Sequence, residues 1–76
     1  MDVTREQLLS IIETVGVSAD VSMVGGDMKL AAAGIDSLEM MNIFLGIEQQ
    51  FGIKIPDEDI DSLGTIDDII EYLKKA

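Results

Sequence analysis

A serine hydroxyl at the start of a predicted helix is the group in this sequence best placed to do chemistry. Ser37 follows Asp36 in the run GIDSL at residues 34–38. Asp is a good N-cap, and Glu39 three residues on completes a capping pair. Ser37 would then be the first helical residue, where a phosphate on its Oγ meets backbone N–H groups that bind anions readily. The plainer alternative is that Asp-Ser is only a capping dipeptide.

A second group of polar side chains alternates along the chain near residue 60. Asp57, Asp59 and Asp61 have the spacing of the first three ligands of an EF-hand loop. That loop also needs Gly at its sixth position and Glu at its twelfth, where this chain has Ser62 and Asp68. We therefore predict no specific metal site, with loose divalent binding to crowded carboxylates as the alternative.

Two residue types that most active sites need are missing. The sequence contains no Cys and no His. It therefore lacks the groups for a thiolate–imidazole pair, a Ser-His-Asp triad, an ordinary zinc site or a disulfide. A chain of 76 residues with carboxylates and hydroxyls alone is not expected to be an enzyme.

The charge of the chain is strongly negative. Five Lys+Arg stand against fifteen Asp+Glu, for a net charge of -10. Such a surface repels nucleic acid and anionic membranes and attracts basic proteins. The longest uncharged apolar stretch, residues 40–47, is far shorter than the ~20 residues of a membrane span, and the N-terminal segment does not look like a signal peptide. We expect a soluble, cytoplasmic monomer.

The elements that must position these groups are helical throughout. Helical spacing and capping pairs predict helices over about residues 4–15, 36–50 and from 65 onward, with one or two turns over 57–62. A long loop over 17–35 joins the first two helices, and Met28, Leu30 and Ile35 would anchor it to the core. The fold class is an all-α four-helix bundle of three longer helices and one short one, in a single domain over residues 1–76.

The second helix is apolar over more of its circumference than burial requires. Its apolar residues cover an arc of roughly 220° on a helical wheel, whereas a core-facing stripe needs a little over ~100°. Residues 36–61 also carry seven acids and one base. Acidic and surplus apolar surface in one region favour a docking face. The apolar residues concerned are Leu38, Met40, Met41, Ile43, Phe44, Leu45, Ile47 and Phe51.

The run GIDSLEMMNIFLGIEQQFGIKIPDEDI, followed by TIDDIIEYLKK, resembles the acyl carrier proteins. The likeness is close over residues 34–76 and looser over the first helix. It implies that Ser37 bears a 4′-phosphopantetheine arm, with Asp36 as flanking residue and cap. The arm would supply the thiol that a chain without Cys lacks, and the protein would hold acyl thioesters for fatty acid or related specialised pathways.

The resemblance also implies partners and the surfaces that meet them. A phosphopantetheinyl transferase would load the arm, and acyl ligases, synthases and transferases with basic surfaces would dock against Leu38, Met41 and Leu45, ringed by Glu39 and Glu48. The acyl chain would fold back between the second and third helices. The candidates to line that cavity are Ile47, Ile55, Ile60 and Leu63.

Departures from the family's usual pattern leave the pathway open. Asn42 stands where fatty-acid-synthesis members usually carry Glu, residues 31–33 are three alanines, Phe44 is bulkier than usual, and Met40 replaces a small polar residue. A specialised carrier is one alternative. Polyketide or aminoacyl carriers and an unmodified acidic interaction module are the others.

Overall fold

Capping side chains begin each of the three longer helices of the computed structural model, which describes residues 2–17 and 20–75. Helix α1 spans Arg5–Val15, α2 spans Ser37–Phe51, α3 spans Asp57–Ile60 and α4 spans Ile66–Lys74. Thr4 and Gln7 form a reciprocal capping box before α1, and Thr65 accepts a hydrogen bond from the Asp68 N–H before α4. The all-α class with three longer helices and a short one is confirmed.

Glycines in the left-handed region end the first two long helices. Gly16 follows α1 with φ 86°, and Gly52 follows α2 with φ 67°. Each donates its backbone N–H to a carbonyl of the last helical turn, on Ile12 and Glu48 respectively. Because this conformation is strained for any residue with a Cβ, glycine is suited to reverse the chain here. The observed ends lie within one residue of the predicted ones.

The connection between α1 and α2 is more regular than predicted. It contains two 3-10 helices, Val21–Met23 and Leu30–Ala33. Leu30 donates its N–H to the Gly64 carbonyl at 2.9 Å, and Asp67 donates to Gly26 at 3.0 Å. These bonds, and a single antiparallel bridge between Lys29 and Thr65, fasten the loop to the start of α4.

The core draws side chains from every long helix and from the loop. Leu30 and Ile35 are buried as predicted, but the prediction for Met28 is wrong, since 43% of its side chain is exposed. The turn closed by the Met28 N–H to the Gly25 carbonyl precedes the bridge at Lys29, and Leu30 rather than Met28 enters the core. The buried apolar residues are Val3, Leu8, Ile11, Ile12, Val21, Val24, Leu30, Ile35, Ile43, Phe44, Ile47, Ile55, Leu63, Ile66, Ile69 and Leu73.

Candidate functional site

The N-terminus of α2 holds Ser37 as its first residue. Asp36 adopts an extended backbone, and its Oδ1 accepts the Glu39 N–H at 2.8 Å, while Glu39 Oε1 accepts the Asp36 N–H at 3.2 Å. The helix is thus fixed from both sides of Ser37. On the approach, Gly34 turns the chain with φ 96° and Ile35 is buried. The predicted capping pair is confirmed, and it presents Ser37 at a rigid helix end.

The surroundings of the Ser37 hydroxyl suit a phosphodiester. The residue is exposed, so its oxygen is accessible to a modifying enzyme. The capping box uses the Glu39 N–H, whereas the N–H groups of Ser37 and Leu38 have no carbonyl four residues back within the helix. These donors and the positive end of a 15-residue helix stabilise negative charge. The residues present fit the attachment of 4′-phosphopantetheine.

An apolar stripe runs along α2 away from Ser37. Leu38 is 67% exposed, Met41 58% and Leu45 51%. Large apolar side chains exposed together mark interaction surfaces more often than isolated ones do. The family resemblance implied that these three stay outside the core, and their exposure is as predicted. The excess apolar arc of α2 is therefore a surface feature. We call Leu38, Met41 and Leu45 the α2 stripe.

The two acids predicted to ring this stripe both make bonds within the fold. Glu39 belongs to the capping box of α2. The Glu48 carboxylate accepts the backbone N–H of Ile55 at 2.6 Å. That bond ties the extended segment after Gly52 to the last turns of α2, and Glu48 is partly buried by it. This bond could not be predicted from the sequence, because Ile55 lies beyond the chain reversal at Gly52.

A pocket of about 220 Å³ opens between α2 and the segment that includes α3. Of the four residues predicted to line a cavity here, Ile55 and Ile60 do so, while Ile47 and Leu63 lie in the core away from it. Positions 37, 41, 44 and 48 fall within about 60° of one another at ~100° per residue. The pocket is therefore on the side of α2 that Ser37 faces. Its lining residues are Met41, Phe44, Leu45, Glu48, Lys54, Ile55, Asp57 and Ile60.

A larger groove of about 580 Å³ lies between α1 and α2. Gly46 lies at its floor, where a Cβ would stand 3.1 Å from methyl groups of Ile11 and Val15. Gln49 and Gln50 line the same groove. On the helical wheel these α2 positions lie about 120–220° from Ser37. Apart from Phe51 in the last turn of α2, the α2 residues of this groove therefore lie on the far side of the helix from the Ser37 hydroxyl.

A tyrosine–carboxylate bond holds the short helix α3 against α4. Tyr72 donates its hydroxyl proton to Asp59 Oδ2 at 2.8 Å. This bond, with lesser contributions from desolvation and from the Asp59 charge, raises the pKa of Tyr72 above its usual 10.0. Among the described residues, no three acidic side chains are grouped so that they could hold a metal ion. Asp59 thus serves the packing of α3.

Comparison with known proteins decides the family. Residues 6–73 match the family described as the phosphopantetheine attachment site. Acyl carrier proteins of Thermotoga maritima and Zymomonas mobilis are 30% and 32% identical over 76 and 74 residues. The alignments cover 95% and 96% of this chain and 94% of each relative. The chain belongs to the acyl carrier protein family. A chloroplastic acyl carrier protein 1 of Casuarina glauca is 33% identical over 72 residues, and there the chain spans 53% of the relative's length.

Membership in this family fixes the cofactor and the general activity. The protein carries acyl groups as thioesters on a covalently attached 4′-phosphopantetheine, and it is a carrier and not a catalyst. Acyl carrier proteins interact with a phosphopantetheinyl transferase and with acyl-handling enzymes in general. Within residues 2–17 and 20–75, no helix is long and apolar enough to cross a membrane.

Proposed function

We propose that Ser37 is the residue that bears the 4′-phosphopantetheine arm. The observation that carries this proposal is the exposed hydroxyl at the first position of α2, inside a complete capping box. The other serines that the structure describes are differently placed. The Ser22 hydroxyl donates to Asp20 at 2.6 Å, and the Ser62 hydroxyl donates to the Asp59 carbonyl at 2.8 Å. Ser10 lies in the interior of α1, away from a helix N-terminus.

The loading reaction tests this assignment directly. The protein is incubated with coenzyme A, Mg²⁺ and a broad-specificity phosphopantetheinyl transferase, and its intact mass is measured. We expect one arm on the unchanged protein, one on Ser10→Ala and Ser62→Ala, and none on Ser37→Ala. Circular dichroism should show the helical content of Ser37→Ala unchanged, because the Asp36 cap remains. An arm on Ser37→Ala would refute the assignment.

We further propose that the α2 stripe and the acids beside it form the docking surface for the transferase and for basic acyl-handling enzymes. The support is the conjunction of exposed apolar area with the seven acids of residues 36–61. Apolar area then supplies affinity and charge supplies the rate of encounter. The arm attached at Ser37 brings the thiol, and Ser37 itself stands beside the stripe, so a docked enzyme meets both.

A methionine pair provides a matched test of the docking surface. Met41 lies on the α2 stripe and is 58% exposed, whereas Met23 is 79% exposed on the first 3-10 helix. Met41→Ala should weaken binding to the transferase by about fivefold or more, the loss typical of an interface residue that contributes over ~1 kcal/mol. Met23→Ala should bind like the unchanged protein. Equal effects of the two substitutions would contradict the proposed surface.

The charge contribution needs substitutions that keep the fold. Because Glu39 and Glu48 both accept backbone N–H groups, reversing their charge with Lys would disturb α2 as well as the surface. Glu39→Gln and Glu48→Gln keep an acceptor oxygen and remove the charge. The double variant should bind the transferase more weakly and with a flatter salt dependence. Unchanged binding and salt dependence would mean that these acids do not contribute to docking.

The cargo pathway and the cellular location are part of the same proposal. The acyl groups belong to fatty acid synthesis or to a related specialised pathway, and Asn42 and the alanines of residues 31–33 favour the specialised one. The cytoplasmic location and the single-domain, monomeric state predicted from the sequence stay proposals. The alternative of an unmodified acidic interaction module does not agree with the family to which the chain belongs.

A further inference from the structure

The pocket between α2 and α3 has a mouth and a floor of different character. Met41 and Leu45 stand at its mouth, since both are more than half exposed. Phe44 and Ile55 form its floor, because they are 1% and 3% exposed and still line the space. Phe44 is also the largest fully buried side chain of the described residues. Its ring therefore closes the inner end of the pocket.

The volume above this floor limits what the pocket can hold. A methylene occupies about as much space as a water molecule, ~30 Å³ in the liquid. The pocket volume of about 220 Å³ then accommodates roughly seven carbons of an acyl chain. On the same helix as Phe44, Ile43 and Ile47 are completely buried, and such interiors are close-packed. A longer chain gains no further space without displacing the ring.

The position and lining of the pocket define the part of the cargo that enters it. Ser37, Met41 and Phe44 share one side of α2, so an arm on Ser37 starts above the mouth. Three charged residues, Glu48, Lys54 and Asp57, border the pocket, and the two most buried lining residues, Phe44 and Ile55, are apolar. An unsubstituted acyl tail is therefore the portion that the pocket takes. The larger groove at Gly46 faces the opposite side of the helix.

We propose that Phe44 sets the chain length that this carrier shelters, and that its preferred cargo is a short to medium unsubstituted acyl group with roughly seven carbons inside the pocket. This inference rests on the proposed attachment at Ser37. Phe44 acts as a specificity-determining residue, because removing its ring extends the pocket toward the core.

Protection of the thioester measures how much of the chain is inside. The loaded protein is prepared with butanoyl, hexanoyl, octanoyl, decanoyl, dodecanoyl and hexadecanoyl groups, and the rate of thioester cleavage by hydroxylamine is recorded. Each methylene that becomes buried should favour the sheltered state by about fourfold, the factor that corresponds to ~0.8 kcal/mol. Protection should rise with length and become level at octanoyl or decanoyl. The melting temperature of the loaded protein should follow the same course.

Variants at the floor separate a length limit from general stability. In Phe44→Ala, the chain length at which protection stops rising should increase by roughly two to four carbons, since a truncated core site collapses only in part. Phe44→Leu, the milder change, should increase that chain length by less. It keeps the test valid if Phe44→Ala does not fold. Leu8→Ala is the control, because Leu8 is buried in α1 and lines neither pocket. It should lower stability and leave the chain-length profile unchanged.

The outcomes distinguish this inference from the proposal on which it rests. Protection that keeps rising to hexadecanoyl in the unchanged protein overturns the length limit, as does a profile that Phe44→Ala and Phe44→Leu leave in place. If either result is obtained while the arm is present on Ser37, only the role of Phe44 is refuted and the attachment site stands. Absence of the arm in the intact mass refutes the attachment site, and the length limit with it.

Discussion

Replacing Glu48 should show that this acid holds the fold as well as the surface charge. Ile55 is a buried residue, and the Glu48 carboxylate accepts its backbone N–H at 2.6 Å in a partly buried bond. In Glu48→Ala that donor loses its partner, which costs about 1–3 kcal/mol for a buried group. A chain of 76 residues has a total stability of roughly 4–11 kcal/mol. The substitution therefore removes a substantial share of it.

The size of the loss can be read from thermal and urea denaturation. For a domain of this length, each ~1 kcal/mol corresponds to a shift of about 4–8 °C in the melting temperature. Glu48→Ala should therefore melt about 4–24 °C lower than the unchanged protein. Glu48→Gln should lose much less, because its amide oxygen can still accept the Ile55 N–H. The ordering of the two variants is the central expectation.

The control for this experiment must remove the same charge and the same side chain elsewhere. Glu13→Ala does so, since Glu13 is exposed in the interior of α1. This variant measures two effects that any Glu→Ala change in a helix would have, namely the higher helix propensity of Ala and the weaker repulsion in a chain of net charge -10. Both effects raise stability. If Glu48→Ala unfolds at the same temperature as Glu13→Ala, the Ile55 bond has no net value. If Glu48→Gln falls as far as Glu48→Ala, the acceptor oxygen is not the cause.

Two further predictions concern the contacts that hold α3 and the loop. Asp59→Ala should lower the pKa of Tyr72 toward 10.0, measured by ultraviolet absorbance of the single tyrosine in a chain without Trp. Because the pKa of Tyr72 is raised in the folded state, its contribution to stability is complete below the ordinary pKa of 10.0 and disappears as the pH rises through the raised pKa. If Tyr72→Phe and the unchanged protein unfold alike at alkaline pH, this prediction is wrong. Gly26→Ala should destabilise the fold only slightly, since the Asp67 carboxylate that its Cβ would meet is the end of an exposed side chain that can move aside. Gly25→Ala, whose Cβ meets Asp27 at an ordinary 3.4 Å, is its control, and Asp67→Ala should reduce the loss.

The helix ends could be predicted because their signals are local. Thr4 with Gln7 and Asp36 with Glu39 lie within one helical turn, and each pair forms the reciprocal box that its spacing indicates. Gly52 stops α2 through its own backbone conformation. None of these features depends on distant residues. The residues alone therefore placed Ser37 at the start of a helix and predicted that the apolar arc of α2 exceeds the needs of burial, whereas the choice of Leu38, Met41 and Leu45 as the exposed residues came from the family resemblance.

The parts that the sequence did not predict depend on contacts between distant segments. Met28 and Leu30 have similar apolar side chains, and which of them is buried follows from the bridge between Lys29 and Thr65. Glu48 reads as one surface acid among many until the chain turns back and brings Ile55 against it. The pocket could not be predicted for the same reason. Phe44 forms its floor because the residue is buried where the pocket ends, and the residue type alone does not show this.

The arrangement of α2 couples docking to the cargo. Met41 and Leu45 belong both to the α2 stripe and to the mouth of the pocket, whereas Leu38 belongs to the stripe alone. An enzyme that covers the stripe therefore also contacts the side chains around the mouth, while one that contacts only Leu38 does not. With the arm on Ser37, as proposed, its point of attachment lies on the same side of the helix as that contact. Docking can thus alter the sheltering of the acyl chain without any change in the core, because the residues shared by the two surfaces are the exposed ones.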